Sequence, residues 1–468
     1  MSHSTSTEPT PLIASGAQAL KGTVRVPGDK SISHRALMFT GLATGTATIT
    51  GLLEGEDVLN TAGAMRAMGA KVEHIINATG SIWRVQGRGV GGLLESAKPI
   101  EFGNSGTGVR LMMGVIAGHD MIATLQGDAS LSSRPMKRIL DPLQQMGLEI
   151  LGEDRDTLPL TIKGRSDLIP IEYELPVPSA QVKSAILIAG LHASGETTVL
   201  EREPTRDHTE RMLRYLGANV QTESRGGFSA VTVSGDAELI SRDITVPGDP
   251  SSAAFLVAAA LIVPGSEVTI EGVLVNESRI GFYRTVREMG GDIAIFNKRE
   301  SGGEPIADIR VRASNLRGVS VPPERAPSMI DEYPVLAVIA AFATGETTMQ
   351  GLAELKVKES DRLAATAEGL AACGVKARIE GDTLVVLGAG TNVTGASSSA
   401  PGSVPGGGTV KTHLDHRIAM AFLIMGLASQ QPVTVDDGSM IATSFPQFRP
   451  LMQQLGARID TRAGGSRS

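Results

Sequence analysis

The chain repeats one unit six times. A short helical segment closing on Met-Gly, Leu-Gly or a near variant recurs at Gly69, Gly147, Gly217, Gly290, Gly374 and Gly456, at intervals of 70 to 84 residues. A glycine just past an amphipathic run stops a helix, because it takes the left-handed conformation at little cost. Each copy carries an earlier helix rich in small apolar residues: SISHRALMFTGLA, TGVRLMMGVIAG, SAQVKSAILIAGL, SSAAFLVAAALIV, YPVLAVIAAFA and RIAMAFLIMGLA. These are apolar around most of their circumference and are expected to be buried on nearly every side. The second helix of each copy is amphipathic, as in the last one, where Phe445, Phe448, Leu451, Met452 and Leu455 fall at helical spacing. Strand-like tails such as AKVEHI, LEIL and GDIAIF follow most of the closing glycines. The grammar is strand, buried helix, strand, amphipathic helix, strand. With three copies on each side of a midpoint near residue 245, it predicts an α/β fold of two similar domains, each with strands outside a core of helices.

Composition narrows the function. The net charge is −7 and aromatic residues make up 3% of the chain. An acidic protein with few aromatics fits neither phosphate-backbone neutralisation nor base stacking, so nucleic acid is not an expected partner. The single cysteine, Cys373, rules out an intramolecular disulfide and any multi-cysteine metal site; it is expected to be a small core residue. Apolar stretches at 250–266 and 333–345 fall short of the ~20 residues of a membrane span. MSHSTSTEPTP has no basic and apolar signal pattern. We therefore expect a soluble, cytoplasmic protein with no membrane partner. Residues 1–11 are expected to be a tail, and the Gly/Ser/Pro-rich segment 391–408 a flexible loop insertion.

The six buried helices open on polar residues: Lys30-Ser31, Asn104 to Thr107, Ser179-Ala180-Gln181, Asp249 to Ser251, Asp331-Glu332 and Asp415 to Arg417. Any one of them is explained by capping alone. Together, six helix starts with unpaired N–H groups and nearby cations suit small anions. A second basic set sits in turns before amphipathic helices: Arg134, Arg206, Lys358 and Arg362. Arginine forks match carboxylates and phosphates. GTVRVPGDKS is not a P-loop, since Asp29 separates Gly28 from Lys30. The eight histidines form no metal-binding motif, so no metal is expected.

Taken together, VPGDKSISHRALM, GNSGTGVRLMMG, SLSSRPMKRILDPLQQMG, PSAQVKSAIL, PGDPSSAAFLVAAAL, DEYPVLAV, LKVKESDRL and LDHRIAM closely resemble the 5-enolpyruvylshikimate-3-phosphate (EPSP) synthase family, over about residues 18 to 460. Spellings such as SAQ resemble the bacterial class that includes glyphosate-tolerant members. The resemblance implies two inverse α/β domains of three βαβαββ units each, with the active site in the interdomain cleft. Residues 1–27 plus 248–468 would form domain I, and residues 28–247 domain II. The implied reaction transfers the enolpyruvyl group of phosphoenolpyruvate to the 5-hydroxyl of shikimate 3-phosphate and releases phosphate, without a cofactor or metal; the protein is expected to be a monomer. Lys30 would touch both substrates. Shikimate 3-phosphate would also meet Ser31, Arg35, Ser179, Ala180, Gln181, Arg206, Asp331 and Lys358. Phosphoenolpyruvate would meet Asn104, Gly106, Thr107, Arg134, Arg362 and Arg417. Asp331 would accept the hydroxyl proton and Glu359 would serve the methylene carbon, with Lys30, Asp331 and Glu359 as the catalytic set. His416 would stand behind them.

Two positions depart from the family or inform on it. Many members carry a lysine just before the final Thr-Phe-Pro, where this chain has Thr443 and Ser444. Tolerant members often place alanine where this chain has Gly106, so this loop is expected to leave the enzyme glyphosate-sensitive. The competing readings are an enolpyruvyl transferase acting on UDP-N-acetylglucosamine, whose family usually has a reactive loop cysteine, and a non-catalytic anion-binding module on the same scaffold.

Overall fold

The computed structural model describes residues 9–77, 80–152, 155–235, 238–390 and 403–461. Most of the expected loop, 391–402, and most of the expected N-terminal tail lie outside them. The chain divides into two compact units. The first holds residues 1–27, 248–299 and 306–468; the second holds 28–247 and 300–305. The expected domains placed all of 248–468 together, whereas residues 300–305, where the Asp292–Ser301 and Glu304–Arg312 strands turn, group with the second unit.

Each unit contains three four-stranded sheets built on one plan. In the second unit, the sheet around residues 100–163 shows it. Strand Ile100–Glu101 runs parallel to Ile122–Gln126, and the helix Gly106–Ala117 forms the crossover. The helix Lys137–Met146 follows, and in the hairpin of Glu149–Leu151 and Leu160–Lys163 the second strand lies between Ile122–Gln126 and Glu149–Leu151, antiparallel to both. The order of strands within this sheet is first, second, fourth, third, and three other sheets of the described residues repeat it. In the remaining two, Ile244–Thr245 takes the first place beside Thr46–Thr50, and Leu12–Ser15 takes the place of the return strand between Val433–Val435 and Arg458–Thr461. Reading residues alone supplied three strands per copy; the fourth, the return strand of the hairpin, came only with the family resemblance.

The six closing glycines all have positive φ, between 75° and 115°. A side chain there would strain the backbone, so these glycines are required by the turn into each hairpin. In three copies an arginine near the end of the amphipathic helix reaches past this glycine to the carbonyl six residues ahead: Arg66 to Val72, Arg214 to Val220 and Arg287 to Ile293.

The buried helices fill the centre of each unit. Lys30–Gly41, Gly106–Ala117 and Ala180–Gly190 pack together in the second unit. Pro250–Ile262, Tyr333–Phe342 and His416–Gly426 do so in the first. Every residue of Pro250–Ile262 is buried, as its all-round apolar sequence requires. Small residues set the spacing: a Cβ on Gly114 would lie 2.4 Å from the carbonyl oxygen of Ala185 on the neighbouring helix. Cys373 is fully buried in the apolar core of the first unit, and burial pushes its thiol pKa up to about 11. No helix of the described residues is long and apolar enough to cross a membrane.

Candidate active site

Five of the six polar openings act as helix caps. Asp29 accepts from Ile32 N, Ser105 from Gly108 N, Ser179 from Val182 N, Asp249 from Ser251 N and Asp415 from Arg417 N. Glu332, at the sixth opening, makes no such side-chain cap. It accepts instead from the Ser251 hydroxyl. Capping fixes where each helix begins, and so fixes the direction of the side chains in its first turn.

In the second unit, Lys30 pairs with Asp57, in the first turn of the helix Glu56–Ala67. Arg35 is buried; its Nη1 donates to the Ser31 carbonyl (2.9 Å), its Nε to Thr209 Oγ1 (2.7 Å) and its Nη2 to Ser184 Oγ (2.8 Å). Burial draws its pKa down to about 10, against the pull of Glu210 and Asp29. Next to it, His34 is fully buried and held neutral by burial, then by Lys30 and Arg35, at about 3.

A second group forms around the helix Gly106–Ala117. Arg134 Nη2 donates to Asn104 Oδ1 (2.8 Å), and Asn104 Nδ2 donates to Asp128 (2.8 Å). Gln181 Nε2 donates to Thr107 Oγ1 (3.0 Å) and its Oε1 accepts from Arg110 Nη1 (3.1 Å). Burial, then Arg138 and Arg134, lower the Arg110 pKa to about 10. A cluster of guanidinium groups that destabilise one another favours a bound anion. Gly106 lies in this cluster: a Cβ there would be 3.1 Å from Arg110 Nη1 and 3.3 Å from Arg134 Nη1. Ser179 and Ala180 open the helix that carries Gln181, and Arg206 lies on the loop from Glu201 to His208.

In the first unit the expected residues converge on one guanidinium. Arg362 is 1% exposed, and its Nε donates to Asp415 Oδ2 (2.7 Å), its Nη1 to Asp331 Oδ1 (3.2 Å) and its Nη2 to Glu359. Arg417 Nη1 donates to the Asp331 carbonyl (3.3 Å), and its Nε lies 4.0 Å from Asp331 Oδ1. Two consecutive residues with left-handed backbone, His413 (φ 51°) and Leu414 (φ 58°), turn the chain into Asp415. Strain of this kind persists where neighbouring structure enforces it; here Asp415 is fully buried and bonded to Arg362 and Ser360. Partial burial raises the Glu359 carboxyl, but Arg362, with His416 and Arg417, more than offsets it and holds its pKa at about 2. The Glu359 side chain is still 40% exposed, open to a ligand. His416 is held neutral, first by burial and then by Arg417. Lys358 Nζ lies 3.7 Å from Glu354 on the surface.

The expected set therefore falls into two groups. Asp331, Lys358, Glu359, Arg362 and Arg417 lie in the first unit; the others lie in the second. Sequence reasoning gave no role to Asp57, Arg110 or Lys183. Arg110 lies inside the quoted GNSGTGVR motif, and its helical spacing from Gly106 could have flagged it. Asp57 carries no local signal, since its partner Lys30 is distant in sequence.

This arrangement of helix caps and guanidinium clusters coincides with family-level similarity. The sequence model of the family described as EPSP synthase (3-phosphoshikimate 1-carboxyvinyltransferase) matches residues 14–452. The chain belongs to the EPSP synthase family. A 3-phosphoshikimate 1-carboxyvinyltransferase of Parvibaculum lavamentivorans is 58% identical over 453 residues, 97% of each chain. One from Methylorubrum populi is 57% identical over 467 residues, covering 99% of this chain and all of the relative. The structure of EPSP synthase from Acinetobacter baumannii superposes with a TM-score of 0.88 at 42% identity, over 97% of this chain and 100% of that one. The enolpyruvyl transferase NikO of Streptomyces tendae, at 18% identity and a TM-score of 0.75, shares the fold. Relative to the family pattern, the position of the usual lysine before the last Phe-Pro is occupied by side chains that turn inward: Thr443 donates to the Met440 carbonyl (2.7 Å) and the Ser444 hydroxyl is buried.

Proposed function

We propose that this EPSP synthase transfers the enolpyruvyl group of phosphoenolpyruvate to the 5-hydroxyl of shikimate 3-phosphate and releases phosphate, with roles as follows. The observation that carries the assignment is the Arg362 cluster, where one buried cation holds three carboxylates beside a second arginine, Arg417. Arg362 and Arg417 bind the phosphoenolpyruvate carboxylate. Asp331, at the edge of the cluster and 17% exposed, takes the proton of the attacking hydroxyl. Glu359 delivers a proton to the methylene carbon on addition and removes one on elimination. In the free enzyme Arg362 keeps Glu359 ionised. An anion bound against Arg362 and Arg417 weakens that hold and raises the Glu359 pKa, so substrate binding readies the acid.

In the second unit, Lys30, Arg134, Asn104, Gly106 and Thr107 receive the phosphate of phosphoenolpyruvate, and Arg134 stabilises it as it leaves. Ser179, Ala180, Gln181 and Arg206 receive the phosphate and hydroxyls of shikimate 3-phosphate, with Ser31, Arg35 and Lys30 beside them. Lys358 meets the carboxylate of the sugar acid. The protein works as a cytoplasmic monomer. The test is phosphate release measured with both substrates, with each alone, and with UDP-N-acetylglucosamine in place of shikimate 3-phosphate. Release only with shikimate 3-phosphate and phosphoenolpyruvate together, reduced about 10²–10⁴-fold in Glu359→Gln, is expected. Release with the nucleotide sugar would overturn the assignment.

A further inference from the structure

Lys183 lies two positions past Gln181, on the inner face of the helix Ala180–Gly190, with its side chain 1% exposed. A lysine is almost never buried so deeply without partners. Its Nζ is 2.9 Å from Glu201 Oε2 and 2.7 Å from Glu210 Oε1, both carboxylates being as buried as the lysine, and 3.5 Å from the Thr205 carbonyl. Three acceptors match the three protons of the ammonium group. Burial lowers its pKa, but Glu210 and Glu201 raise it further, so Lys183 stays charged.

The partners define what the lysine does. Glu201 ends the strand Glu196–Glu201, and Glu210 lies in the first turn of the helix His208–Tyr215. The loop between them carries Arg206. The second oxygen of Glu201 accepts from the Thr205 backbone N–H (3.2 Å) and from its hydroxyl. Thr205, the residue before Arg206, is thus gripped on one side by Glu201 and on the other by Lys183. Nearby, Thr209 donates to Ser184 (2.7 Å), the residue after Lys183 on the same helix, and Ser184 also accepts from Arg35. Lys183 is the charged group that ties both ends and the middle of the Arg206 loop to the helix bearing Ser179, Ala180 and Gln181.

We propose that Lys183 is a positioning residue for shikimate 3-phosphate: through Glu201, Glu210 and Thr205 it holds Arg206 in register with the opening of the helix that carries Gln181. The inference rests on the reading above that Arg206 and this helix start receive the sugar phosphate. Breaking one member of a buried ion group leaves the others uncompensated, so the loop moves although neither Lys183 nor the two glutamates touch the substrate.

The experiment compares Lys183→Met, Arg206→Ala and the double variant, with Michaelis constants for each substrate measured separately. Lys183→Met should raise KM for shikimate 3-phosphate at least tenfold, with KM for phosphoenolpyruvate and kcat changed less than threefold. The double variant should be no worse than Arg206→Ala alone, because the lysine acts through that arginine. Glu201→Gln, which keeps shape and removes one charge, should give a smaller shift of the same kind, and stands in if Lys183→Met does not fold. Equal shifts for both substrates, no shift, or additive losses in the double variant would overturn the inference. If Arg206→Ala itself leaves KM for shikimate 3-phosphate unchanged, the assignment of Arg206 fails instead.

Discussion

Replacing Arg362 with methionine should invert the dependence of stability on pH in the acid range. The side chain of Arg362 is 1% exposed and satisfies Asp415, which is fully buried, Asp331 at 17% exposure and Glu359 at 40%. Methionine fills most of the volume and leaves Asp415 without its cation. Removing one partner of a buried ion pair costs about 3–5 kcal/mol. Asp415 keeps two other donors, Ser360 Oγ (3.1 Å) and Arg417 N (2.9 Å), so the cost falls near the lower end. The carboxylates left facing one another then have raised pKa values, the folded variant binds protons that the unfolded chain has released, and its deficit is largest at pH 8 and shrinks toward pH 5. In the parent enzyme the sign is opposite. Glu359 is held at about 2 against an ordinary value of 4.5, so its contribution is complete above pH 4.5 and is lost as pH falls toward 2. The assay is urea unfolding of the parent, Arg362→Met and Arg362→Met/Asp415→Asn at pH 8 and pH 5. The double variant should recover at least half the loss, because the amide keeps the cap to Arg417 N without the charge. A deficit that is equal at both pH values, or below about 1 kcal/mol at pH 8, would refute the view that Arg362 is the electrostatic centre of the first unit.

Three further outcomes are expected. Gly106→Ala brings a methyl group to 3.1 Å and 3.3 Å from the tips of Arg110 and Arg134; it should raise the inhibition constant of glyphosate, the longer anion, more than it raises KM for phosphoenolpyruvate, and equal changes would rule this out. Gly114→Ala meets the Ala185 carbonyl oxygen at 2.4 Å, backbone that cannot turn aside, so it should destabilise by about 1–3 kcal/mol in urea unfolding. His34 and His192 are held near pKa 3, chiefly by burial; because the unfolded chain binds these protons first, each should add a stability loss of about 1.4 kcal/mol per pH unit as pH falls below 6.5, and His34→Gln should reduce that slope by one such increment.

How far the sequence reveals this molecule depends on the range of the interaction that sets each feature. Helix ends are local. Gly69 or Gly147 announces its turn because no other residue takes positive φ so cheaply, and the apolar helix before it announces burial because it has no polar face. The return strands, such as Leu160–Lys163 and Phe228–Ser234, are not local in this sense. Each is defined by a register with two neighbours, and its four to seven residues lack a pattern that separates it from a loop. The same division runs through the site. Ser179, Asp415 and Asn104 stand at helix openings, where the preference for a cap and the need for an anion contact select the same residue types, so position alone marks them as candidates. In such an opening different atoms make different bonds: Ser179 caps its helix with its hydroxyl, while Gln181, two positions on, donates from its amide to Thr107. Ion partners follow no such rule. Asp57 belongs to Lys30 and Glu201 to Lys183 only because the fold brings distant segments together. A motif read along the chain can therefore mark the helix openings while giving no sign of the buried charges packed behind them, such as Asp57, Glu201 and Glu210.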